Sequence, residues 1–460
     1  MHTRRQFMMR GAAFSMGFAG LATLLRQPRS LAASLEAASG AGYGPLVRDP
    51  AGIIDLPAGF SYTAFSRIGE EMDDGLLVPG QHDGMAAFAG AGGTVVLVRN
   101  HELKETQAAK GPFGADNARL GRVRADRVFD RGGGTLPGQG GTSTLVYDPV
   151  QRRVMKQSMS LLGTIYNCAG GPTPWGSWLT CEETTVGKAD GLDQDHGWVF
   201  EVPHDATEPV EPLPITAMGR FRHEAVAVHP MAGCVYQTED LADGVLYRYL
   251  PKAPGRLHEG GRLQALVVRD KATADLKNWK GGTPVSVGTR FSVGWVDLDD
   301  VRSPKDDLRL QAAAKGAALF ARCEGIWWGV DAAYFAATTG GIKQLGQIWK
   351  YTPSPHEGTP EEATAPATLE LILEPNDSTV VNNADNITVA PWGDLMVCED
   401  GEGQNGLIGV TATGTPYRLA MVRTNKSETA GATFSPDGSI LFVNIQNPGV
   451  TLAITGPWRG

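Results

Sequence analysis

The stretch ADNITVAPWGDLMVCEDG, from Ala384 to Gly401, decides how this sequence is interpreted. Its two apolar segments, ITVA and DLMVC, flank PWG, a sequence typical of a tight turn between β-strands. Asp385 and Asn386 precede the first segment. Glu399 and Asp400 follow the second. A hairpin brings its open ends together, so this stretch predicts two strands with a cluster of carboxylate and amide oxygens at one edge.

The same pattern of strand, turn and strand recurs five more times. The further hairpins span residues 83–102, 168–183, 223–240, 323–339 and 430–446. Repeated hairpins are typical of β-propellers, in which small sheets stack around an axis because none can bury both faces alone. We therefore expect an all-β six-bladed β-propeller, with five or seven blades as alternatives. A pair of β-sandwiches would not explain why polar residues recur at the same place in each repeat.

The composition agrees with many short strands and limits the function. The chain of 460 residues contains 59 glycines, 29 prolines and 10 tryptophans, which suits strands joined by turns. The net charge of −9 argues against nucleic-acid binding, which needs a basic surface. Five cysteines cannot all pair, and without a CxxC motif a structural zinc ribbon is not expected.

The N-terminus is typical of an export signal. The segment TRRQFM, Thr3 to Met8, contains a twin arginine, and an apolar stretch from Gly11 to Leu25 follows. Small residues from Ala32 to Ser39 offer cleavage sites. This pattern resembles a twin-arginine signal, which exports folded proteins. The apolar stretch is short for a membrane span, although an uncleaved anchor is the alternative.

These features predict the organisation and location of the protein. Residues 1–38 would be the signal peptide, and residues 39–460 would form one propeller domain. We expect contact with the twin-arginine export machinery, a periplasmic or secreted location, no stable membrane insertion and a monomer.

A propeller built from these hairpins would direct their open ends to the mouth of its central channel. The side chains predicted there are Asp83, Asn100, His101, Glu102, Cys181, Glu182, Glu183, His223, Glu224, Glu239, Asp240, Arg322, Glu324, Asp385, Asn386, Glu399, Asp400, Asn444 and Gln446. Two like charges ~4 Å apart repel by about 4 kcal/mol at an effective dielectric constant of about 20, so protons or cations must bind there. Oxygen ligands favour Ca²⁺, whereas a thiolate favours a transition metal. The mixture of carboxylates with Cys181 predicts both kinds of ion.

Several motifs resemble those of the PhoX-type alkaline phosphatases. The matching segments are TCEETT, GRFRHEAVAVHP, RCEG, ADNITVAPWGDLMVCEDG and GATFSPDGSILFVNIQNPG. The resemblance extends from about Asp83 to Pro457, and the twin-arginine leader agrees with it. It implies a six-bladed propeller that hydrolyses small phosphate monoesters with a metal-bound oxo or hydroxide nucleophile. It also implies two Fe³⁺ ions and two to three Ca²⁺ ions.

The resemblance implies roles for individual residues as well. The implied metal ligands are Cys181 as a thiolate ligand of iron, Glu182, Glu224, Glu239, Asp240, Glu324, Asp385, Asn386 and Glu399. Arg322 would bind the phosphoryl oxygens, because its planar guanidinium group matches a phosphate. Cys323 alternates with Arg322 and Glu324 and is expected to face the core.

Two other functions remain compatible with the sequence. A calcium-dependent propeller lactonase or esterase would use the same acids with one divalent ion and would need neither Cys181 nor Arg322. A non-catalytic propeller would bind calcium for stability alone. Iron together with calcium would favour the phosphatase, whereas calcium alone would favour either alternative.

Overall fold

Short antiparallel strands dominate this computed structural model, which describes residues 41–459. The expected signal peptide, residues 1–38, lies outside the described residues. Within that range the helices are α1 (Leu308–Ala314) and short 3-10 helices at Ala91–Gly93, Ala108–Lys110, Leu120–Arg122, Ala125–Arg127, Gly132–Gly134, Lys188–Asp190, Thr216–Met218, Leu257–Glu259 and Pro360–Thr364. None of these described helices has the length and apolar character needed to cross a membrane.

Twenty-six strands are present between residues 41 and 459. They are β1 Leu46–Val47, β2 Ile54–Pro57, β3 Ser61–Phe65, β4 His82–Ala89, β5 Val95–His101, β6 Gly140–Asp148, β7 Arg153–Thr164, β8 Asn167–Pro172, β9 Ser177–Glu182, β10 Val199–Pro203, β11 His223–Val228, β12 Val235–Glu239, β13 Tyr247–Pro251, β14 Gly261–Val268, β15 Arg290–Asp297, β16 Cys323–Trp328, β17 Ala333–Ala337, β18 Gln347–Thr352, β19 Ala367–Leu373, β20 Ala384–Val389, β21 Leu395–Glu399, β22 Gly406–Val410, β23 Pro416–Val422, β24 Thr429–Phe434, β25 Ile440–Ile445 and β26 Val450–Thr455.

The strands of the described chain pair into five sheets. Strands β4–β7 form one sheet and β8–β10 a second. Strands β20–β23 are extended by β2 and β1, and β24–β26 are extended by β3. The remaining sheet has nine strands, because β15 pairs with β19 and thereby joins β11–β15 to β16–β19.

The first strand of each hairpin lies at the centre of the molecule. Strand β4 contacts β8, and the contacts continue through β11, β16, β20 and β24 back to β4. This closed circuit gives an all-β, propeller-like architecture. Because each sheet packs on its neighbours, its inner strands are largely buried on both faces. Ile440–Ile445 (β25), for example, is buried throughout.

The hairpin that opened the sequence analysis is confirmed. Strands β20 and β21 pair in antiparallel register, and the Ala390 amide donates to the Asp394 carbonyl oxygen at 2.7 Å. Gly393 lies in the turn with φ +95°, a conformation that favours glycine. The PWG sequence therefore closes the hairpin and fixes the register at its open end.

The two ends of the described chain meet in one sheet. Strand β3 pairs with β26, with Phe65 opposite Thr451. Beside them the Trp458 ring lies 4.7 Å from Phe60 and 5.7 Å from Trp392, measured between ring centroids. An early strand therefore completes the last sheet and covers an edge that would otherwise be exposed.

Candidate metal centre

Each of the six central strands contains a β-bulge near its start. The register shifts lie between His82 and Met85, Asn167 and Gly170, His223 and Val226, Cys323 and Ile326, Ala384 and Ile387, and Ala430 and Thr433. A bulge inserts an extra residue and redirects the side chains beside it. In five strands the second residue lines a shared pocket; these residues are Asp83, Cys168, Glu224, Glu324 and Asp385.

Small residues below these side chains allow the central strands to approach closely. A Cβ atom on Gly84 would lie 2.5 Å from the Ala169 Cα, and one on Gly325 would lie 2.7 Å from the Asn386 Cα. Gly431 has φ +61°, and a Cβ there would lie 2.3 Å from the Asp83 carbonyl oxygen. No larger residue fits at these positions, so the glycines permit the convergence of the side chains above them.

The ends of four second strands provide a further set of polar side chains in consecutive pairs, all of them acids except His101. The first residues of the pairs, which we call the anchor layer, are His101, Glu182, Glu239 and Glu399. The second residues, the pocket layer, are Glu102, Glu183, Asp240 and Asp400. All four residues of the anchor layer are 0% exposed, whereas all four of the pocket layer line the pocket. In each pair, therefore, the first side chain lies in the protein interior and the second lies at the pocket.

The anchor layer bonds to its own sheet and to the loops beside it. Glu182 accepts hydrogen bonds from the Ile165 and Gly197 amides, both at 2.9 Å, and lies 2.6 Å from His196 Nδ1. Burial alone would lower the pKa of His196, but Glu182 and Asp130 outweigh it and raise that pKa to about 9. This carboxylate therefore has its hydrogen-bonding partners within the protein.

Glu239 and Glu399 also bond within the protein, but Glu239 Oε1 has no hydrogen-bond partner among the described residues. Glu239 accepts a hydrogen bond from the Tyr247 hydroxyl at 2.8 Å, and burial raises its pKa to about 8. Glu399 pairs with Arg418 and accepts from the Asn382 amide at 2.9 Å. The sequence analysis assigned Glu182, Glu239 and Glu399 as metal ligands. The structure does not bring them to the pocket, because each points into its own sheet.

The pocket itself is strongly acidic. It has a volume of about 370 Å³, and nine of its fifteen lining residues are Asp or Glu. The lining residues are Gln81, Asp83, Glu102, Tyr166, Cys168, Glu183, Glu224, Asp240, Arg322, Glu324, Asp385, Asn386, Asp400, Glu428 and Gln446. Of the residues assigned from sequence, Glu224, Asp240, Arg322, Glu324, Asp385 and Asn386 are among them.

Four groups of side chains have ligand atoms that all lie within 4.8 Å of one another. The groups are Cys168, Glu183 and Glu224; Asp83, Glu102 and Glu428; Glu224, Glu324 and Asp385; and Asp385, Asp400 and Glu428. The first group contains a thiol, and the other three contain oxygen ligands alone. The donor set therefore fits one kind of ion that accepts sulfur and another kind that prefers oxygen.

The electrostatics of the pocket also favour bound cations. Burial raises the pKa of Glu102 to about 7 and that of Asp385 to about 8, and the nearby Asp400 carboxylate adds to both shifts. Burial and neighbouring carboxylates raise the pKa values of further pocket acids, namely Asp83, Glu183, Glu224, Glu324 and Glu428. Cations among these groups would offset that repulsion.

The cysteine on the pocket wall is Cys168, not Cys181. Cys168 Sγ donates to the Glu224 carbonyl oxygen at 3.4 Å, and burial, followed by the Glu224 charge, raises the pKa of the thiol. Cys181 lies in an apolar cluster with Val199 and Phe221. The sequence analysis named Cys181 as a thiolate ligand, whereas the thiol that lies at the pocket wall is that of Cys168. One signal was available in the sequence, since Cys168 precedes small residues, as Asp83 and Glu224 do.

Arg322 lies at the pocket mouth directly before β16, with φ +53°. Its Nε and Nη2 atoms donate to the two oxygens of Asp240, both at 2.7 Å, and Nη2 also donates to Glu324 Oε1 at 3.0 Å. Asn386 lines the pocket, and its Oδ1 accepts from the Gly431 amide at 2.8 Å. Arg322 thus lies at the pocket mouth, where the sequence analysis placed it, and its guanidinium pairs with two acids of the pocket.

Some pocket residues were not assigned as ligands from the sequence. Asp83, Glu102, Glu183 and Asp400 were predicted at the channel mouth only. Glu428 was not singled out, because it directly precedes the central strand β24, whose second residue is the apolar Ala430. Cys323 and Cys234 are 0% exposed in an apolar cluster, which confirms the expected core position of Cys323.

One family pattern and several solved structures match this chain. The sequence pattern of alkaline phosphatase PhoX matches residues 41–449. No curated protein matches the chain. Among solved structures, PhoX of Pseudomonas fluorescens in complex with vanadate, a transition-state analogue, superposes with a TM-score of 0.66 at 19% identity, covering 88% of this chain and 96% of that one.

Two other solved structures are less similar. A gluconolactonase of Xanthomonas campestris has a TM-score of 0.40 at 13% identity, covering 90% of this chain and 99% of that one. The calcium-binding protein regucalcin of Agrobacterium tumefaciens has a TM-score of 0.39 at 14% identity, with 86% and 96% covered. The family pattern spans nearly the whole described chain, and the superposition with the Pseudomonas protein shows the same fold. The chain belongs to the alkaline phosphatase PhoX family.

Proposed function

We propose that this chain is an exported phosphomonoesterase that binds iron and calcium in the pocket at the centre of a six-bladed propeller. The convergence of nine carboxylates and Cys168 in one pocket is the observation that carries the proposal. The count of six blades rests on the six hairpins whose first strands contact one another in a closed circuit. The nine-stranded sheet would then contain two blades joined through β15 and β19.

The ligand chemistry assigns ions to three of the four groups. Cys168, Glu183 and Glu224 would bind iron, because thiolate ligands select transition metals. The groups built around Glu428 contain oxygen ligands alone, which suits Ca²⁺. We retain two Fe³⁺ and two to three Ca²⁺ as the expected content. Ions bound in this way lower the pKa of water and offset charge on phosphoryl oxygens.

Arg322 would hold the phosphoryl group of the substrate. Asp240 fixes the guanidinium through Nε and Nη2. Nη1 has no protein partner among residues 41–459 and is free to donate to a phosphoryl oxygen. A guanidinium held in advance loses little entropy when substrate binds, so it would stabilise charge developing in the transition state. Asp240 would therefore act on substrate through Arg322 and need not bind metal.

Export by the twin-arginine route would account for metal loading and location. That route exports folded proteins, so the pocket would acquire its ions before export. We propose that the mature protein acts in the periplasm or outside the cell as a monomer.

Element analysis together with a phosphatase assay tests the function. Protein purified without chelator should contain both iron and calcium and should hydrolyse p-nitrophenyl phosphate. EDTA should abolish that activity, and calcium added back should restore it where iron has been retained. Calcium without iron, or activity that survives complete metal removal, would contradict the proposal.

A further inference from the structure

Two lysines at the pocket mouth lie against residues of its wall. Both belong to the connection between β5 and β6. The Lys110 ammonium donates to Gln81 Oε1 at 2.7 Å and to Asn447 Oδ1 at 3.3 Å. The Lys104 ammonium lies 5.0 Å from the centre of the Tyr166 ring. Gln81 and Tyr166 both line the pocket, so each lysine contacts its rim.

Neither ammonium group forms an ion pair within 4.0 Å in the described part of the chain. The partners of Lys110 are neutral amide oxygens, and that of Lys104 is an aromatic face. Arg322 differs, since it is paired with both Asp240 and Glu324. Two lysines without a carboxylate partner within 4.0 Å among the described residues therefore lie at the rim of this acidic pocket.

The two lysine ammonium groups could attract an anionic substrate once cations occupy the pocket. Bound ions would offset the carboxylates, so Lys104 and Lys110 would then present positive charge towards an arriving anion. Arg322 and the ions would hold the phosphoryl group that is transferred. A second anionic group on the same substrate would extend outwards to the rim. A lysine ammonium, with three donors on a flexible stem, suits phosphate groups at variable positions.

We propose that Lys104 and Lys110 form an outer subsite for a second phosphate group, so that the enzyme prefers bisphosphate esters to monophosphate esters of the same scaffold. This inference rests on the proposed phosphatase function and specifies its substrate class.

Fructose 6-phosphate and fructose 1,6-bisphosphate provide a matched pair, because they differ by one phosphate group. The ratio of their kcat/KM values should favour the bisphosphate in the wild-type protein by more than the factor of about two expected from two equivalent groups. In the double variant Lys104→Gln/Lys110→Gln the ratio should fall by about tenfold, the order expected for two lost charge contacts. Each single variant should lose part of that preference.

Lys252→Gln is the control for general charge effects. Lys252 is exposed and follows β13, whose end lies away from the pocket because β13 runs antiparallel to β12. This variant should keep the wild-type ratio. An unchanged ratio in the double lysine variant, or an equal fall in the Lys252 variant, would overturn the subsite. An equal fall in kcat/KM for both substrates in the double variant would overturn the subsite too. It would indicate that the two lysines act on the phosphoryl group that is transferred.

Failure of the proposed phosphatase function can be distinguished from failure of the lysine subsite. If the metal-loaded wild-type protein hydrolyses neither sugar phosphate, the phosphatase proposal fails for this substrate class. Equilibrium binding of fructose 1,6-bisphosphate to the same metal-loaded proteins still tests the subsite. The double variant should bind it about tenfold more weakly than the wild type, while both should bind fructose 6-phosphate alike. Equal affinities of the two proteins for the bisphosphate would overturn the subsite.

Discussion

The anchor layer and the pocket layer contain residues that are neighbours in sequence, and in three of the four pairs both are acids, yet they have opposite environments. Glu182 is saturated by backbone amides and His196, whereas the adjacent Glu183 lies within 4.8 Å of Cys168 and Glu224. The Glu182 carboxylate stabilises the fold through these hydrogen bonds. The Glu183 carboxyl group lies beside other acids, and burial together with their charges raises its pKa. In a motif such as CEE, alternation along the strand therefore directs one glutamate into the protein interior and the next towards the pocket.

Glu224→Gln should have the largest effect, because Glu224 belongs to two of the four ligand groups. Loss of this charge should remove iron and lower kcat by about 10³-fold or more, since bound ions supply several kcal/mol of transition-state stabilisation. Glu239→Gln is the matched control from the anchor layer. The pKa of Glu239 is raised to about 8 by burial, so its neutral replacement should keep metal and activity. Equal losses in both variants would remove the distinction between the layers.

Arg322→Ala should lower kcat/KM for a phosphate monoester by about 10²- to 10³-fold, as expected for loss of a preorganised donor. Metal content should remain at the wild-type level, because arginine is not a ligand. Arg322→Lys should restore part of the activity, since it retains the charge without the planar geometry. Activity per bound iron that equals the wild type would show that Arg322 serves only to pair with Asp240 and Glu324.

The variant Glu182→Gln tests whether the anchor layer stabilises the fold, measured as the free energy of unfolding. It would leave the buried His196 with a weakened partner and should lower the free energy of unfolding by about 3 kcal/mol. Glu183→Gln in metal-free protein should raise that free energy slightly, because it removes one of several repelling carboxylates. Denaturant unfolding in EDTA measures both. Shifts of the same sign would contradict the contrast between neighbours.

The smallest effect concerns pH. The pKa of His196 in the folded protein is about 9, above its ordinary value of 6.5. Its charged form therefore stabilises the fold fully below about pH 6.5, and this contribution is lost as pH rises through about 9. The difference in melting temperature between wild type and His196→Gln should shrink from pH 6 to pH 10. A constant difference would mean that the charge on His196 contributes nothing.

The hairpins were predictable because their signals are local. Alternating apolar residues and turns such as PWG define β20 and β21 without reference to the rest of the chain. Glu224, Glu324 and Asp385 were placed correctly at the channel mouth, since each directly follows the start of a central strand. The pairing of β15 with β19 was not predictable, because it joins outer strands far apart in sequence.

The direction of side chains at the open ends could not be obtained from the sequence. A shift of one residue moves a side chain to the other face of a sheet, and every central strand contains a bulge that causes such a shift. The sequence alone therefore could not decide that Glu183, and not the adjacent Glu182, lines the pocket. Glu428 joins the pocket only through the closed circuit of strands, which sequence spacing does not reveal.

Iron content in two cysteine variants tests the central claim most directly. Cys168 lines the pocket with Glu183 and Glu224, whereas Cys181 packs among apolar side chains. Cys168→Ser should lose iron and any thiolate-to-iron charge-transfer absorption while keeping its β-sheet circular dichroism. Cys181→Ser should retain both iron and absorption at wild-type levels. Loss of iron from the Cys181 variant with full retention in the Cys168 variant would contradict the assignment of the pocket as the metal centre.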